Sequence, residues 1–109
     1  GDIVLKKVSF LLKDSLSQLN QLLCRFGGEE FLVMLPGMDK QGALEVAEEL
    51  RQRVQSEKIL LRRQNTSITV SIGVASLPLD TKDEDELIQK ADKSMYEAKR
   101  KGRNRVCHI

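Results

Sequence analysis

The stretch Arg25-Phe26-Gly27-Gly28-Glu29-Glu30-Phe31 decides how the chain is read. An apolar run lies on each side of it, Gln21-Leu22-Leu23-Cys24-Arg25-Phe26 before and Glu30-Phe31-Leu32-Val33-Met34-Leu35 after. Two runs of strand length around a glycine pair predict a β-hairpin over 21–26 and 30–35, with Gly27 and Gly28 taking the positive φ of a tight turn. Pro36-Gly37 then stops the second strand. The tip carries two adjacent carboxylates. Strand alternation turns Glu29 and Glu30 to opposite faces, so only one of them faces a given site. A glycine pair has no Cβ to block a large ligand, and Mg²⁺ takes one or two carboxylates together with phosphate oxygens. The alternative is a solvated hairpin with an acidic tip, which the pattern alone favours.

Upstream of the hairpin, Ile3 or Val4, Val8, Leu11 or Leu12 and Leu16 recur at three-to-four spacing and predict a helix over 2–16. Asp2 suits its N-terminal dipole. Downstream, Asp39 caps a helix over 40–56 whose apolar stripe is Ala43, Leu44, Ala47, Leu50 and Val54. Gly42 weakens it by about 1 kcal/mol against alanine. Ile59-Leu60-Leu61 is a short candidate strand, and the alternation Ile68, Val70, Ile72, Val74 predicts a strand over 68–77. Gly73 inside that strand marks a bulge or close backbone packing. Asp83 with Glu86 opens a helix that runs to about Arg100 on a stripe of Leu87, Ile88, Ala91, Met95 and Ala98. Gly102 is placed to end it in the left-handed conformation, and a short strand follows over Arg105–Ile109. The order α-β-β-α-β-α-β predicts a two-layer α/β domain.

Composition bounds the function. At 109 residues the chain is one domain at most, burying roughly 65% of its unfolded surface. Hydrophobic residues are 40% and charged residues 31%, a soluble globular balance. No apolar run reaches the about 18 residues of a membrane span. The net charge of +2 is too small for a generic nucleic-acid binder, so no nucleic-acid partner is expected. Two cysteines, Cys24 and Cys107, and one histidine, His108, form neither a disulfide framework nor a zinc site. A cytoplasmic setting is the default. Both cysteines are expected to pack as small apolar residues, and Tyr96 to pack rather than react.

Seven of the 18 basic residues lie between Lys90 and Arg105. Lys99 in the last helical turn and Arg103 just past it can hold a polyphosphate, the arginine as a planar fork and the lysine as a point charge. Ordinary basicity complementing the helix dipole is the competing reading, and composition alone favours it.

Taken together, these residues resemble a GGDEF domain, the diguanylate cyclase module of bacterial signalling. Residues 25–31 look like its RYGGDEF signature in the GGEEF form. Leu35-Pro36, the Ala43–Arg51 helix, Ser71-Ile72-Gly73-Val74-Ala75, and Ala91-Asp92 through Lys99 to Gly102-Arg103-Asn104-Arg105-Val106 follow in family order over essentially the whole chain. The resemblance implies a nucleotidyl cyclase-like, ferredoxin-like palm, with 1–109 a partial GGDEF domain lacking the family's first strand and helix. It makes Glu29 the Mg²⁺ ligand (Mn²⁺ being an alternative ion) and gives Glu30 a secondary catalytic role. Lys99 and Arg103 become contacts to the GTP phosphates, and Gly27 and Gly28 let GTP lie against the hairpin. Asp2, in Gly1-Asp2, becomes the guanine-binding tail of a GHxxGD segment.

The reaction so implied joins two GTP molecules into cyclic di-GMP and releases pyrophosphate, across an antiparallel homodimer and under an upstream sensor domain. Two departures stand out. The family's first-strand metal aspartate and a guanine-binding asparagine would both precede Gly1, so this chain alone is expected to be inactive. In place of the inhibitory RxxD motif stands Gln18-Leu19-Asn20-Gln21, so inhibitory binding of cyclic di-GMP is not expected. The alternative function is a non-catalytic GGDEF module that binds GTP or a partner protein.

Overall fold

The computed structural model describes residues 2–109, which form two compact units divided between Met38 and Asp39. The first unit contains helix α1 (Asp2–Leu16) and the antiparallel hairpin β1 (Leu22–Arg25) and β2 (Phe31–Met34). Val8, Leu11, Leu12 and Leu16 are the buried stripe of α1, as the spacing predicts.

The second unit runs α2 (Lys40–Ser56), β3 (Lys58–Leu61), β4 (Gln64–Ser67), β5 (Ile72–Val74), α3 (Glu84–Arg100) and β6 (Val106–His108). Both helices start where sequence places the caps. The Asp39 carboxylate accepts from the amide of Gly42 at 2.8 Å, and that of Asp83 from Asp85 at 2.9 Å. β5 and β6 pair in parallel, and both α2 and α3 pack on that pair. This is the helix-on-sheet layering that the element order predicts, with Ala47, Leu50, Val54, Val74 and Ala98 in its core.

Close approach decides how α3 sits. A methyl group at Gly73 would overlap the backbone oxygen of Ala91 and the backbone nitrogen of Met95. Strand backbone therefore lies directly on helix backbone, and only small residues fit the seam. Ser94 and Ala98 are fully buried, whereas Leu87, Ile88 and Met95 on the expected stripe are half-buried at its margins.

Several expectations are corrected. The strand over 68–77 shrinks to Ile72–Val74, because its three-residue partner β6 can pair no more of it. The candidate strand at 59–61 forms as expected, and what the sequence does not show is its partner, the polar segment Gln64–Ser67. Their connection places Arg62 and Arg63 at φ 50° and 67°, a turn normally filled by Asn-Gly. The described strands make three two-stranded sheets. Gly27 and Gly28 are not among the positive-φ residues; residues 26–30 form a five-residue loop that does not need that conformation. Cys24 is exposed, and Tyr96 is 65% exposed rather than packed.

Replacing Gly73 by alanine should cost about 3 kcal/mol, the upper end of overpacking penalties, because both overlapped atoms are backbone and cannot rotate away. Urea unfolding of wild type and Gly73→Ala reads this directly. A change below about 1 kcal/mol would mean that the seam relaxes.

Candidate functional site

The hairpin loop gathers four of the residues singled out by sequence. Its base is closed by the Phe26 amide donating to the Glu30 carbonyl at 2.8 Å, next to the Arg25–Phe31 pair. The Arg25 side chain then bridges the loop: Nε donates to the Gly28 carbonyl at 3.2 Å and Nη2 donates to the same oxygen. With its guanidinium held on that carbonyl, Arg25 makes no ion pair with Glu29, whose carboxylate stands exposed at the tip. Glu30 behaves differently. It is half-buried, and its Oε1 folds back to 3.1 Å from where a Cβ on Gly27 would sit. A side chain at Gly27 would displace that carboxylate, while the space over Gly28 is open. The two acids thus differ in exposure, and both lie in the loop, outside the strands whose alternation would separate them.

A divalent cation fits this tip in donor chemistry. Glu29 supplies a free hard oxygen ligand, and Mg²⁺ needs only one or two protein carboxylates when water and phosphate fill the rest of its octahedron. The described residues contain no cluster of three or more His, Cys, Asp or Glu side chains able to hold a metal by themselves. Asp2 opens α1 and is exposed in its first turn. Gly1, the other half of the expected guanine-binding tail, lies outside the described residues.

Lys99 and Arg103 belong to the end of α3 and the loop after it. The helix closes with the amides of Lys101 on Glu97 (2.9 Å), Gly102 on Lys99 (3.3 Å) and Arg103 on Ala98 (2.9 Å). Gly102, Arg103 and Asn104 then take φ of 121°, 64° and 51°. Gly102 ends the helix in the left-handed region as expected, but two further residues continue there. For a residue such as arginine this conformation costs about 1–2 kcal/mol, so surrounding contacts must hold it. One end is anchored by the Ile72 amide on the Arg105 carbonyl at 3.0 Å. The middle is held from α2, where Arg51 Nη1 donates to Asn104 Oδ1 at 2.9 Å. Lys99 and Arg103 themselves are exposed.

Arg51 is part of a set that sequence reading did not single out. Its Nε and Nη2 donate to the two oxygens of Glu48 at 2.8 and 2.6 Å, and Gln52 donates to Glu48 Oε2 at 2.8 Å. These hydrogen bonds, Arg51 first, hold the Glu48 carboxyl down at about 2 and raise the Arg51 guanidinium above its ordinary value. The i, i+3 spacing of Glu48 and Arg51 was visible on a predicted helix, but Asn104, 53 residues away, was not. A second set ties the ends of the unit together. Lys40 Nζ donates to Asp80 Oδ1 at 2.8 Å and to the Ile109 carbonyl at 2.9 Å, and the Ser76 amide donates to Asp80 Oδ2 at 2.9 Å. Burial alone would raise the Asp80 carboxyl; the bonds from Lys40 and Ser76 and the nearby positive groups outweigh it and hold the carboxyl low.

Residues 1–105 match the family described as diguanylate cyclase, GGDEF domain. Diguanylate cyclase A of Treponema denticola is 40% identical over 106 residues, which cover 97% of this chain and 28% of that protein. The chain therefore spans under a third of the length of that curated relative. Among solved structures, the active GGEEF domain of a diguanylate cyclase from Vibrio cholerae superposes with a TM-score of 0.87 at 34% identity, covering 98% of this chain and 67% of that one. The coiled coil and GGDEF domain of DgcB from Caulobacter crescentus, in complex with c-di-GMP, gives 0.83 at 27% identity over 97% of this chain and 56% of that one. These neighbours share the nucleotidyl cyclase-like α/β fold. No helix among the described residues is long and apolar enough to cross a membrane.

Acid should unfold the chain through its paired carboxylates. Both Glu48 and Asp80 are depressed in the fold, so their stabilisation is complete above the unfolded carboxyl range and is lost as pH falls through the folded values. For Glu48 that window runs from 4.5 down to about 2. Denaturant midpoints measured across it should fall more steeply for wild type than for the Glu48→Gln, Asp80→Asn double variant; parallel curves would remove these two acids from the acid response.

Proposed function

The chain belongs to the diguanylate cyclase GGDEF family, and from that premise we propose that it is the catalytic domain of a diguanylate cyclase, condensing two GTP molecules into cyclic di-GMP. The single observation that carries the reading is the exposed, unpaired Glu29 carboxylate at a loop pinned by Arg25, in the signature position of a GGEEF-type family member. In each half of the reaction a ribose 3′-oxygen attacks the α-phosphorus of the other GTP. The new O–P bond replaces the bond to the β-phosphate oxygen, pyrophosphate leaves and the hydroxyl proton passes to solvent. Two such steps need two oriented nucleotides, which is the reason for an antiparallel homodimer.

Each residue has a part to play. Lys99 and Arg103 hold phosphate oxygens, the lysine as a compact charge and the arginine as a fork, and they neutralise charge on the departing pyrophosphate. Gly27 and Gly28 let the nucleotide approach the loop backbone. Asp2 contacts guanine. Glu29 holds a divalent cation, Mg²⁺ or Mn²⁺, which when bound lowers the hydroxyl pKa and offsets phosphate charge. Glu30, folded toward Gly27, supports that loop from behind. Most of the catalytic contribution is positioning and fixed electrostatics. The reading extends to a cytoplasmic location and an upstream sensor domain.

In a longer protein that carries this chain together with the family's upstream strand and helix, Glu29→Gln should cut cyclic di-GMP formation by about a hundredfold or more, the scale on which removing one electrostatic contact acts, with the circular dichroism spectrum unchanged. Undiminished turnover would take Glu29 out of the mechanism. The 109-residue chain by itself should form no product; no turnover by the longer protein, with GTP still bound, would favour a non-catalytic GTP-binding module.

Feedback by product should also be weak. Gln18 and Gln21 stand where the family carries a charged arginine and aspartate, and neutral amides cannot make the charge-assisted bonds of that pair. Gln21 also turns its Oε1 inward, where it has no hydrogen-bond partner among the described residues. Calorimetric titration should detect no submicromolar binding of cyclic di-GMP; tight binding abolished by Gln18→Ala or Gln21→Ala would contradict this.

A further inference from the structure

We infer that Arg51 is a positioning residue for the phosphate end of the site: by gripping Asn104 it sets the left-handed loop that carries Arg103. The inference rests on the reading of Arg103 as a phosphate contact. Arg51 lies on α2, far in sequence from that loop, and its side chain is mostly buried at 17% exposure. Glu48 takes the Nε and Nη2 edge of the guanidinium in a two-pronged pair, which fixes the plane of the group. Nη1 is then aimed, reaching Gln55 Oε1 at 3.1 Å and Asn104 Oδ1 at 2.9 Å. A lysine cannot reproduce this, because a single point charge cannot hold the carboxylate fork and reach the amide at once.

The loop needs such a grip. Arg103 and Asn104 both hold left-handed φ, a conformation that local sequence does not favour at the arginine. The helix end and the β5–β6 ladder tie the flanks through Ala98 and Ile72. The Arg51 bond acts on the residue next to Arg103 itself, so loosening it frees the backbone from which the phosphate ligand projects. Arg51 touches no nucleotide in this scheme. Its effect passes entirely through Arg103, and that gives the inference its test.

The longer protein, with the family's upstream strand and helix present, is compared as wild type with Arg51→Lys, Asn104→Ala, Asn104→Asp, Arg103→Ala and the Arg51→Lys, Arg103→Ala double variant. The readouts are affinity for a non-hydrolysable GTP analogue by calorimetry, and KM against kcat. Arg51→Lys and Asn104→Ala should each weaken analogue binding and raise KM about five- to tenfold, the range of coupling between contacting residues, with a fall in kcat no larger than that of Arg103→Ala. Asn104→Asp keeps an oxygen acceptor for Arg51 and tolerates left-handed φ, so its affinity should stay near wild type. In the Arg103→Ala background, Arg51→Lys should cost nothing further. Additive losses in the double variant, wild-type affinity in Arg51→Lys, or equal losses in Asn104→Asp and Asn104→Ala would each overturn the inference. If Arg51→Lys does not fold, the two Asn104 variants decide. If Arg103→Ala alone binds the analogue like wild type, the phosphate reading itself has failed; if Arg103→Ala weakens binding while Arg51→Lys does not, that reading stands and only the positioning role falls.

Discussion

The backbone contact between Gly73 and α3 governs the second unit. At that point β5 lies on the helix with no side chain between them, and Ala91 and Met95 present backbone atoms to it. Everything that follows in the chain inherits this placement. The end of α3 fixes where Lys99 sits. β6, paired in parallel with β5, fixes Arg105 through the Ile72 amide. The loop between them has only a few residues to join two rigidly placed ends, which forces the run of left-handed conformations at Gly102, Arg103 and Asn104. A tight seam made possible by one missing methyl group thus sets the geometry of the basic loop some thirty residues later.

The polar networks act on that frame by direction more than by energy. The Glu48–Arg51 pair lies on a partly exposed helix face, where such a pair contributes little stability, typically below about 1 kcal/mol. What it supplies is orientation, since a guanidinium held along one edge has only one way to present the other. Lys40 with Asp80 is more enclosed, at 15% and 6% side-chain exposure, and joins the start of α2 to the segment after β5 and to the chain's end. Buried carboxylates of this kind must be paired to remain charged.

Much of the fold was legible because its signals are local. The three helices and their caps follow from Asp39, Asp83 and the apolar spacing, and the first hairpin from two apolar runs around a glycine pair. The role of Gly73 was half-legible: a glycine in a strand signals close packing without saying against what. The β3–β4 hairpin was hidden because Arg62-Arg63 carries no turn signature and Gln64–Ser67 has no apolar alternation. Strand 68–77 was over-read because alternation reports exposure, whereas strand length depends on a partner that β6 limits to three residues. Among the candidate site residues, Glu29, Lys99 and Arg103 came from a motif, and all three are exposed. Arg51 and Asn104 could not, because their bond joins α2 to a loop 53 residues further along the chain.

The two loops on which the proposed reading relies, each within its own unit, differ in how firmly their backbones are held. The backbone of the arginine loop is anchored at both flanks and in the middle, while the Lys99 and Arg103 side chains stand exposed; a backbone fixed in advance lowers the reorganisation that the proposed anion contact requires. The hairpin loop is closed at its base and spanned by Arg25 on one carbonyl, while Glu29 stands beyond that bridge in solvent. A carboxylate so placed keeps rotamer freedom, which is an entropic cost on binding. It is also an advantage for an ion with strict octahedral demands, because a mobile ligand can adjust to an ion whose other positions are set by water and phosphate. On the proposed reading, the basic loop would offer an anion a fixed backbone and the hairpin tip would offer a cation an adaptable carboxylate, the loop tied by tertiary contacts and the carboxylate left at a loop tip.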